Sequence, residues 1–252
     1  MLFSDRPRTL YRNRPAHEVI CQLRFPSILS INQVEPAEFQ EDIRDAFPQY
    51  ARRQDLPPIV GGQTPPPPVT NYHFLSEDGR WKLNLTKDFI ALSTLYYPGW
   101  EEFARHLDQP LASFIRHYKP AYFQRVGLRY VNIFSRTQLG LEETPWRELF
   151  IPAYTGPVKD ESEDTLLNWG CDMLVKLDSS SRAKIHAGFG RLQVKNAPQD
   201  QETKFILDLD LSMGNHVPCT MAAGALETLH IHGDRVFEGA ITDRLREAME
   251  PL

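Results

Sequence analysis

The sequence predicts an α+β protein in which antiparallel sheets carry helices packed on one face. Segments with alternating apolar and polar residues, typical of half-buried strands, occur in both halves of the chain. Two long segments instead place apolar residues at helical spacing, which indicates amphipathic helices. Runs of strands joined by short polar turns, without regular alternation of strand and helix, favour α+β over a parallel α/β fold.

The N-terminal half, residues 1–140, is expected to follow the order β-α-β-β-β-α-β. The predicted elements are a strand over Glu18–Phe25, a helix from Pro36 to Pro48, strands over Val69–Ser76, Trp81–Thr86 and Phe89–Tyr96, a helix over Trp100–Tyr118 and a strand over Phe123–Phe134. The proline inside the second helix, Pro110, predicts a kink or break there, with Asp108 as the cap of a second segment. The proline-rich stretch Ala51–Val69 predicts an extended surface connection, and a lid or docking peptide is the alternative.

The C-terminal half, residues 141–252, is expected to contain antiparallel strands and one long helix. Its predicted elements are a solvated acidic turn at 159–164, strands over 166–178, 182–194 and 204–212, and a continuous helix over about Met221–Met249. A helix of this length would span about 40 Å and cross a whole sheet.

Composition narrows the classes of partner and compartment. A net charge of −5 lacks the basic excess of general nucleic-acid or membrane-surface binders. Three cysteines without a CxxC motif argue against a disulfide framework and favour a reducing compartment. No secretory signal or membrane-spanning stretch is evident, so the chain is expected to be cytoplasmic.

Two histidines in the C-terminal helix, His230 and His232, raise the question of a metal site. On a helix they point in directions about 200° apart, so they cannot share one ion, and the i, i+4 spacing of metalloprotease-like sites is missing. His230 is expected at the border of the core beside a satisfying neighbour, and His232 is expected to face solvent.

Charged residues and one histidine on three predicted strands and the C-terminal helix form the candidate ligand-binding site. On a continuous C-terminal helix Arg244 would fall inside the apolar stripe, which requires a carboxylate, carbonyl or ligand anion, and Asp208 and Asp210 are its candidate partners. Strand alternation places three pairs on common faces: Arg125 with Arg129, Lys184 with His186, and Asp208 with Asp210. Whether these faces come together depends on strand order and register, which the sequence does not give. The full set is Arg125, Arg129, Lys184, His186, Asp208, Asp210 and Arg244. The simpler interpretation is solvent-facing strand charges with one structural ion pair.

Catalytic motifs are missing from the sequence. There is no GxxxxGK[ST], GxGxxG or GxSxG, and the DxD at 208–210 is only a weak magnesium signal without a phosphate-binding loop. No catalytic residue, metal site or cofactor is therefore predicted.

Four stretches together resemble a sporadically distributed bacterial family of uncharacterised proteins. They are PAHEVICQLRF near the start, YPGWEEF at 97–103, RVGLRYVN at 125–132 and LHIHGDRVFEGAITDRLREAM at the end. The matching residues are Pro15, Glu18, Val19, Arg24, Phe25, Tyr97, Gly99, Trp100, Arg125, Gly127, Leu128, Arg129, Tyr130, Asn132, Phe237, Ile241, Thr242, Leu245 and Arg246. The resemblance implies no reaction, cofactor or catalytic residue, but the patchy distribution is typical of mobile, accessory or defence-linked genes.

Three functions are compatible with these observations. The first is a non-enzymatic binding or sensor module that recognises a protein, peptide or small ligand in an accessory or antiphage-defence system, with a protein partner from a neighbouring gene. The second is a metal-dependent enzyme acting on phosphate esters or nucleic acid through Asp208 and Asp210. The third is a homo-oligomeric structural protein built on exposed strand edges.

Overall fold

One antiparallel sheet contains all the strands of the described chain. The computed structural model describes residues 2–56, 67–156, 165–166, 168–191 and 202–252. The strands are β1 (Ala16–Arg24), β2 (Gln49–Asp55), β3 (Val69–Leu75), β4 (Trp81–Leu85), β5 (Phe89–Thr94), β6 (Phe123–Phe134), β7 (Trp169–Lys176), β8 (Ser181–Arg191) and β9 (Thr203–Val217). Their order in the sheet is β2-β3-β4-β5-β1-β6-β9-β8-β7.

Seven helices accompany these strands in the described residues. They are α1 (Ala37–Ile43), α2 (Trp100–Tyr118), α3 (Arg136–Leu139), α4 (Trp146–Leu149), α5 (Pro152–Thr155), α6 (Ala222–Ala240) and α7 (Asp243–Ala248). The predicted α+β class is thereby confirmed.

The chain divides into two compact units whose segments alternate along the sequence. Unit 1 comprises residues 1–17, 129–211 and 227–252, and unit 2 comprises residues 18–128 and 212–226. The predicted boundary near residue 140 stays a prediction.

In unit 2, aromatic side chains from two helices cover one side of the strands. Phe103 of α2 packs against Trp81 of β4 with ring centroids 5.7 Å apart, and Phe39 of α1 meets Phe74 of β3 at 5.5 Å. These four side chains are buried because alternate strand residues and one helix stripe both point into this core.

In unit 1, α6 lies over β6 and β9. The ring of Tyr130 on β6 contacts α6 at His230 and at Gly233, and Leu211 of β9 also lies beside Gly233. A Cβ atom at Gly233 would come within 3.2 Å of the tyrosine ring, so glycine allows the helix to approach the strand closely.

The structure corrects two predictions in the first half of the chain. Residues 49–55, predicted to lie largely in a surface connection, form the edge strand β2, which pairs antiparallel with β3. The remainder of that connection, residues 57–66, and the acidic turn at 159–164 lie outside the described residues. The break that was one alternative at Pro110 is also wrong, since α2 runs through it with Pro110 buried among core residues, and the other alternative, a kink, stays a prediction. Burial of the helix stripe compensates for the backbone hydrogen bond that proline cannot donate.

The predicted continuous C-terminal helix is broken after Ala240. The carbonyl of Ala240 accepts a hydrogen bond from Ile151 N at 2.9 Å, and Thr242 N donates to Leu149 O at 3.0 Å. These bonds pull the backbone out of the helical ladder, and Ile241 forms an antiparallel bridge with Phe150. A new helix then starts with Thr242 as its N-cap, whose Oγ1 accepts from Leu245 N.

Candidate binding site

Among the seven charged candidates, Arg129 and Asp208 form a side-chain pair in unit 1. Arg129 on β6 donates to both carboxylate oxygens of Asp208 on β9, with Nε 2.8 Å from Oδ1. Asp210 lies on the same face of β9 as Asp208 by strand alternation. A two-bond guanidinium–carboxylate pair is geometrically specific, and it occupies the carboxylate that the metal-dependent hypothesis requires.

Lys184 and His186 lie on β8, where their cross-strand neighbours belong to β7. Lys184 is exposed and stands opposite Leu174 of β7. His186 stands opposite Asp172, with Nδ1 3.3 Å from Oδ1. Both side chains therefore belong to a solvent-facing part of the sheet in unit 1.

Arg125 belongs to unit 2, and its guanidinium lies across Gly127 on the same strand. A Cβ atom at Gly127 would stand 2.1 Å from the arginine Nη1, so the glycine leaves the space that the guanidinium fills. The same guanidinium acts to lower the pKa of Cys21, although burial of that thiol raises it by more.

The prediction for Arg244 is wrong in both burial and partner. Its side chain is 52% exposed and forms an ion pair with Glu148, not with Asp208 or Asp210. The helix break after Ala240 changes the phase of all later residues, so the stripe calculated for a continuous helix does not apply to α7.

The two histidines of α6 have separate partners. His230 is buried, its Nδ1 lies 2.8 Å from the Tyr130 hydroxyl and its Nε2 lies 3.4 Å from Asp234 Oδ2, which confirms the prediction for this residue. His232 was expected to face solvent, but its side chain is 14% exposed and its Nε2 lies 2.8 Å from Asp178 Oδ2. The carboxylate of Asp178, in the turn between β7 and β8, therefore covers His232, which the helical pattern alone would leave exposed to solvent.

The turn between β7 and β8 holds Asp178 in its ionised form. Burial by itself would raise its pKa, but hydrogen bonds from the Ser180 backbone, from His232 and from Ser181 outweigh burial and lower it. A negative charge at neutral pH therefore faces the His232 imidazole.

A buried ionic network in unit 1 was not predicted. Glu238 of α6 and Arg246 of α7 form an ion pair with side chains 3% and 14% exposed. The hydroxyl of Tyr11 donates to Glu238 Oε1 at 2.6 Å and accepts from Arg246 Nη1 at 3.0 Å. No local sequence signal links these residues, because Tyr11 is more than two hundred positions from its partners.

A surface pocket in unit 2 combines aromatic rings with carboxylates. Its volume is about 540 Å³, and it is lined by Ser76, Glu77, Asp78, Arg80, Trp81, Tyr96, Pro98, Glu102 and His106. We call it the aromatic pocket. The turn between β3 and β4, the end of β5 and the first two turns of α2 supply these residues.

Two stacked arrangements line the aromatic pocket. The rings of Trp81 and His106 are parallel within 7° with centroids 3.9 Å apart. The guanidinium of Arg80 lies 4.3 Å from the centroid of Tyr96, whose residue is 54% exposed. The pocket therefore already contains a cation–π contact between two of its own residues.

Acidic groups give the aromatic pocket an excess of negative charge. Hydrogen bonds from the Ser76 hydroxyl and the Arg80 backbone lower the pKa of Asp78, which is therefore ionised at neutral pH. Its Oδ2 lies 3.4 Å from Arg80 Nε. Glu102 contacts His106 and pairs with Arg105. Three carboxyl residues against one arginine in the lining favour a positively charged ligand.

The strand Trp81–Thr86 and the helix Trp100–Tyr118, which carry part of this pocket, were predicted from the sequence, but the site was not. The stacking of His106 on Trp81 depends on how α2 packs on β4, and the contact of Tyr96 with Arg80 depends on the pairing of β4 with β5. No local pattern encodes either contact.

The described part of the chain contains no group of three or more His, Cys, Asp or Glu side chains placed to hold a metal ion. No helix within it combines the length and apolar character required to cross a membrane.

Comparison with known proteins does not place the chain in a family. No protein-family model matches the sequence, and no curated protein matches it significantly. The resemblance to the sporadically distributed bacterial family stays a proposal.

Proposed function

We propose that the protein is a non-enzymatic binding module whose aromatic pocket receives a basic side chain of a protein or peptide ligand. The observation that supports this most directly is the Arg80–Tyr96 contact, in which a guanidinium lies 4.3 Å from an exposed aromatic ring. An arginine or lysine from a ligand can make the same kind of contact in the remaining space of the pocket.

The charge of the lining favours a cation over a neutral apolar group. Glu77 is exposed, and Glu102 and the ionised Asp78 line the pocket with the aromatic rings. Charge-assisted hydrogen bonds from a ligand to these carboxylates would complement the cation–π contact. The pocket volume of about 540 Å³ is within the range of protein ligand sites.

A pair of matched peptides tests the proposal. Acetyl-Gly-Arg-Gly-amide and its citrulline counterpart have nearly the same shape but differ in charge, so only the arginine peptide should shift the NMR signals of the Trp81 indole and the His106 ring. We expect Tyr96→Leu and Glu102→Gln to weaken that binding. Because one cation–π contact provides about 0.5–2 kcal/mol, the Tyr96 variant should bind about twofold to thirtyfold more weakly.

Glu142→Gln is the control, since it removes one exposed carboxylate outside the aromatic pocket. Binding that is equal for both peptides, or that is unaffected by Tyr96→Leu, would contradict the proposal. Co-purification of the full chain with the product of an adjacent gene, lost in the Tyr96 variant, would extend it to a natural protein partner.

The proposal also includes the compartment and the biological role of the protein. The three cysteines are free, in keeping with a reducing compartment, and we place the protein in the bacterial cytoplasm. An accessory or antiphage-defence role, served by a partner from a neighbouring gene, follows from the family resemblance alone.

A further inference from the structure

The edge strand β7 carries an exposed apolar side chain. It is the last strand of the sheet, and β8 is its neighbour among the described residues. Leu174, the third residue from the C-terminal end of β7, is 74% exposed. An exposed strand edge is a template for pairing with another chain, and an apolar side chain on it does not oppose that pairing as an unpartnered charge or a proline would.

The backbone of β7 presents its polar groups to the open side of the strand at alternate residues. Leu177 N donates to Ser181 O at 3.0 Å where β7 turns into β8, so Leu177 is a hydrogen-bonded position of this antiparallel pair. Hydrogen-bonded and non-hydrogen-bonded positions alternate. The N–H and C=O groups of Asp172, Leu174 and Lys176 therefore face away from β8.

We propose that β7 pairs antiparallel with β7 of a second copy of this chain, about a two-fold axis at Leu174. In this register Leu174 meets its own counterpart, and Asp172 stands opposite Lys176 of the other copy. The two-fold symmetry produces this attraction twice. All three residues use backbone groups that face the open side, so the register satisfies both hydrogen bonding and charge.

The opposite face of β7 is also self-complementary in this arrangement. Met173 and Val175 are only partly buried in one copy, unlike the fully buried Ile185 of β8. Pairing about Leu174 places Met173 beside Val175 of the second copy, and the reverse. The dimer thereby continues the apolar layer of the sheet across the interface.

Neighbouring registers lack this complementarity. Moving the second strand by two residues places Asp172 opposite either Leu174 or Asp178. The first register leaves a carboxylate against an apolar side chain, and the second brings two carboxylates together. The charges on β7 therefore specify the register as well as the partner.

The edge strand of unit 2 does not offer the same surface. β2 carries the exposed, adjacent residues Arg52 and Arg53 near its middle. Antiparallel self-pairing of β2 about Arg52 or Arg53 would bring arginines from both copies together, which repels a second copy in those registers. The interaction that we propose is therefore placed at β7.

Sedimentation equilibrium of the full chain and its charge variants tests the dimer. The wild type should reach the dimer mass as concentration rises. Asp172→Lys and Lys176→Asp should each raise the dimer Kd by about tenfold or more, because each places like charges at two symmetric contacts. The double variant Asp172→Lys/Lys176→Asp restores opposite charges and should recover the dimer.

Leu174→Asp should abolish dimerisation while the fold is retained, because the new carboxylate faces Lys184 within one copy and its own counterpart across the axis. Circular dichroism verifies the fold of each variant. A wild type that stays monomeric up to its solubility limit, or a dimer that survives both single charge changes, would overturn the proposal.

Disulfide trapping locates the axis independently. Hydrogen-bonded antiparallel residues have Cα atoms about 5.5 Å apart, within the range that a disulfide spans. Oxidised Leu174→Cys should therefore give a covalent dimer, whereas Lys184→Cys, one strand away, should remain at the background set by the native cysteines. Equal trapping at both positions would show that β7 is not at the axis.

Discussion

Arg244 and Arg246 lie two residues apart in the short helix α7 and have opposite environments. The Arg244 side chain is 52% exposed and pairs with Glu148 at the surface. The Arg246 side chain is 14% exposed and pairs with Glu238, which is itself 3% exposed. Residue type and local sequence are nearly the same, so helix phase alone separates a surface ion pair from a buried one.

One break in a helix changes which of the later side chains face the protein interior. On a continuous helix Arg244 would lie in the apolar stripe, whereas the break after Ala240 turns α7 so that Arg246 faces inward. A buried ion pair contributes little by itself because both charges lose water, but removal of one partner leaves the other charge uncompensated. The two arginines should therefore differ sharply under mutation.

The largest effect is expected for Arg246→Met. This change leaves Glu238 buried without its cation and should reduce the free energy of unfolding by about 3–5 kcal/mol, measured by urea denaturation. The control is Arg246→Met/Glu238→Leu, which removes both charges and should recover most of the loss. A single variant that loses less than about 1 kcal/mol would contradict the buried assignment.

The next effect is expected for Tyr11→Phe. It removes a hydroxyl that donates to Glu238 at 2.6 Å, and hydrogen bonds to charged groups contribute about 1.5–3 kcal/mol. Unfolding in urea at neutral pH measures the loss. A stability equal to that of the wild type would show that the hydroxyl does not support the ion pair.

The same tyrosine makes the network sensitive to high pH. Burial, followed by the hydrogen bond to Glu238, raises the pKa of Tyr11 above its ordinary value of 10.0. The folded protein then holds the phenolic proton more strongly than the unfolded chain, so this contribution is complete below about pH 10 and declines as pH rises. The stability difference between the wild type and Tyr11→Phe should therefore narrow above that pH, whereas a constant difference would contradict the raised pKa.

A smaller effect is expected for changes at Thr242, the N-cap residue of α7. Thr242→Ala removes the N-cap hydroxyl and should cost about 1 kcal/mol. Thr242→Ser keeps the hydroxyl and should be nearly neutral. Equal losses in both variants would indicate that the methyl group matters more than the cap.

The smallest effect is expected for Arg244→Leu. Exposed ion pairs contribute about 0–1 kcal/mol and are screened by salt, so this variant should approach wild-type stability in concentrated salt. Glu148→Gln is the matched change on the other side of the pair. A loss as large as that of Arg246→Met would remove the distinction between the two arginines.

Elements with strong local periodicity could be predicted closely. The strand Phe123–Phe134 and the helix Trp100–Tyr118 have the bounds that apolar alternation and helical spacing indicated. The edge strand β2 was missed because its residues are nearly all exposed and carry little alternation. Sheet pairing with β3, rather than a local preference, makes this segment extended.

The candidate site could be predicted only in fragments. Strand alternation correctly placed Asp208 and Asp210 on one face, but Arg129 becomes the partner of Asp208 only because β6 and β9 are neighbours in the sheet. The aromatic pocket depends in the same way on the packing of α2 against β4. Contacts between distant segments decide both features.

The sequence alone determined the α+β class and most strand and helix positions, since side-chain alternation and helical spacing are properties of consecutive residues. Tertiary structure decided where the last helix breaks, which arginine is buried and which charged residues meet. The bonds from Ile151 to Ala240 and from Thr242 to Leu149 join segments about ninety residues apart. Their contribution depends on the packed fold, so local sequence does not specify it.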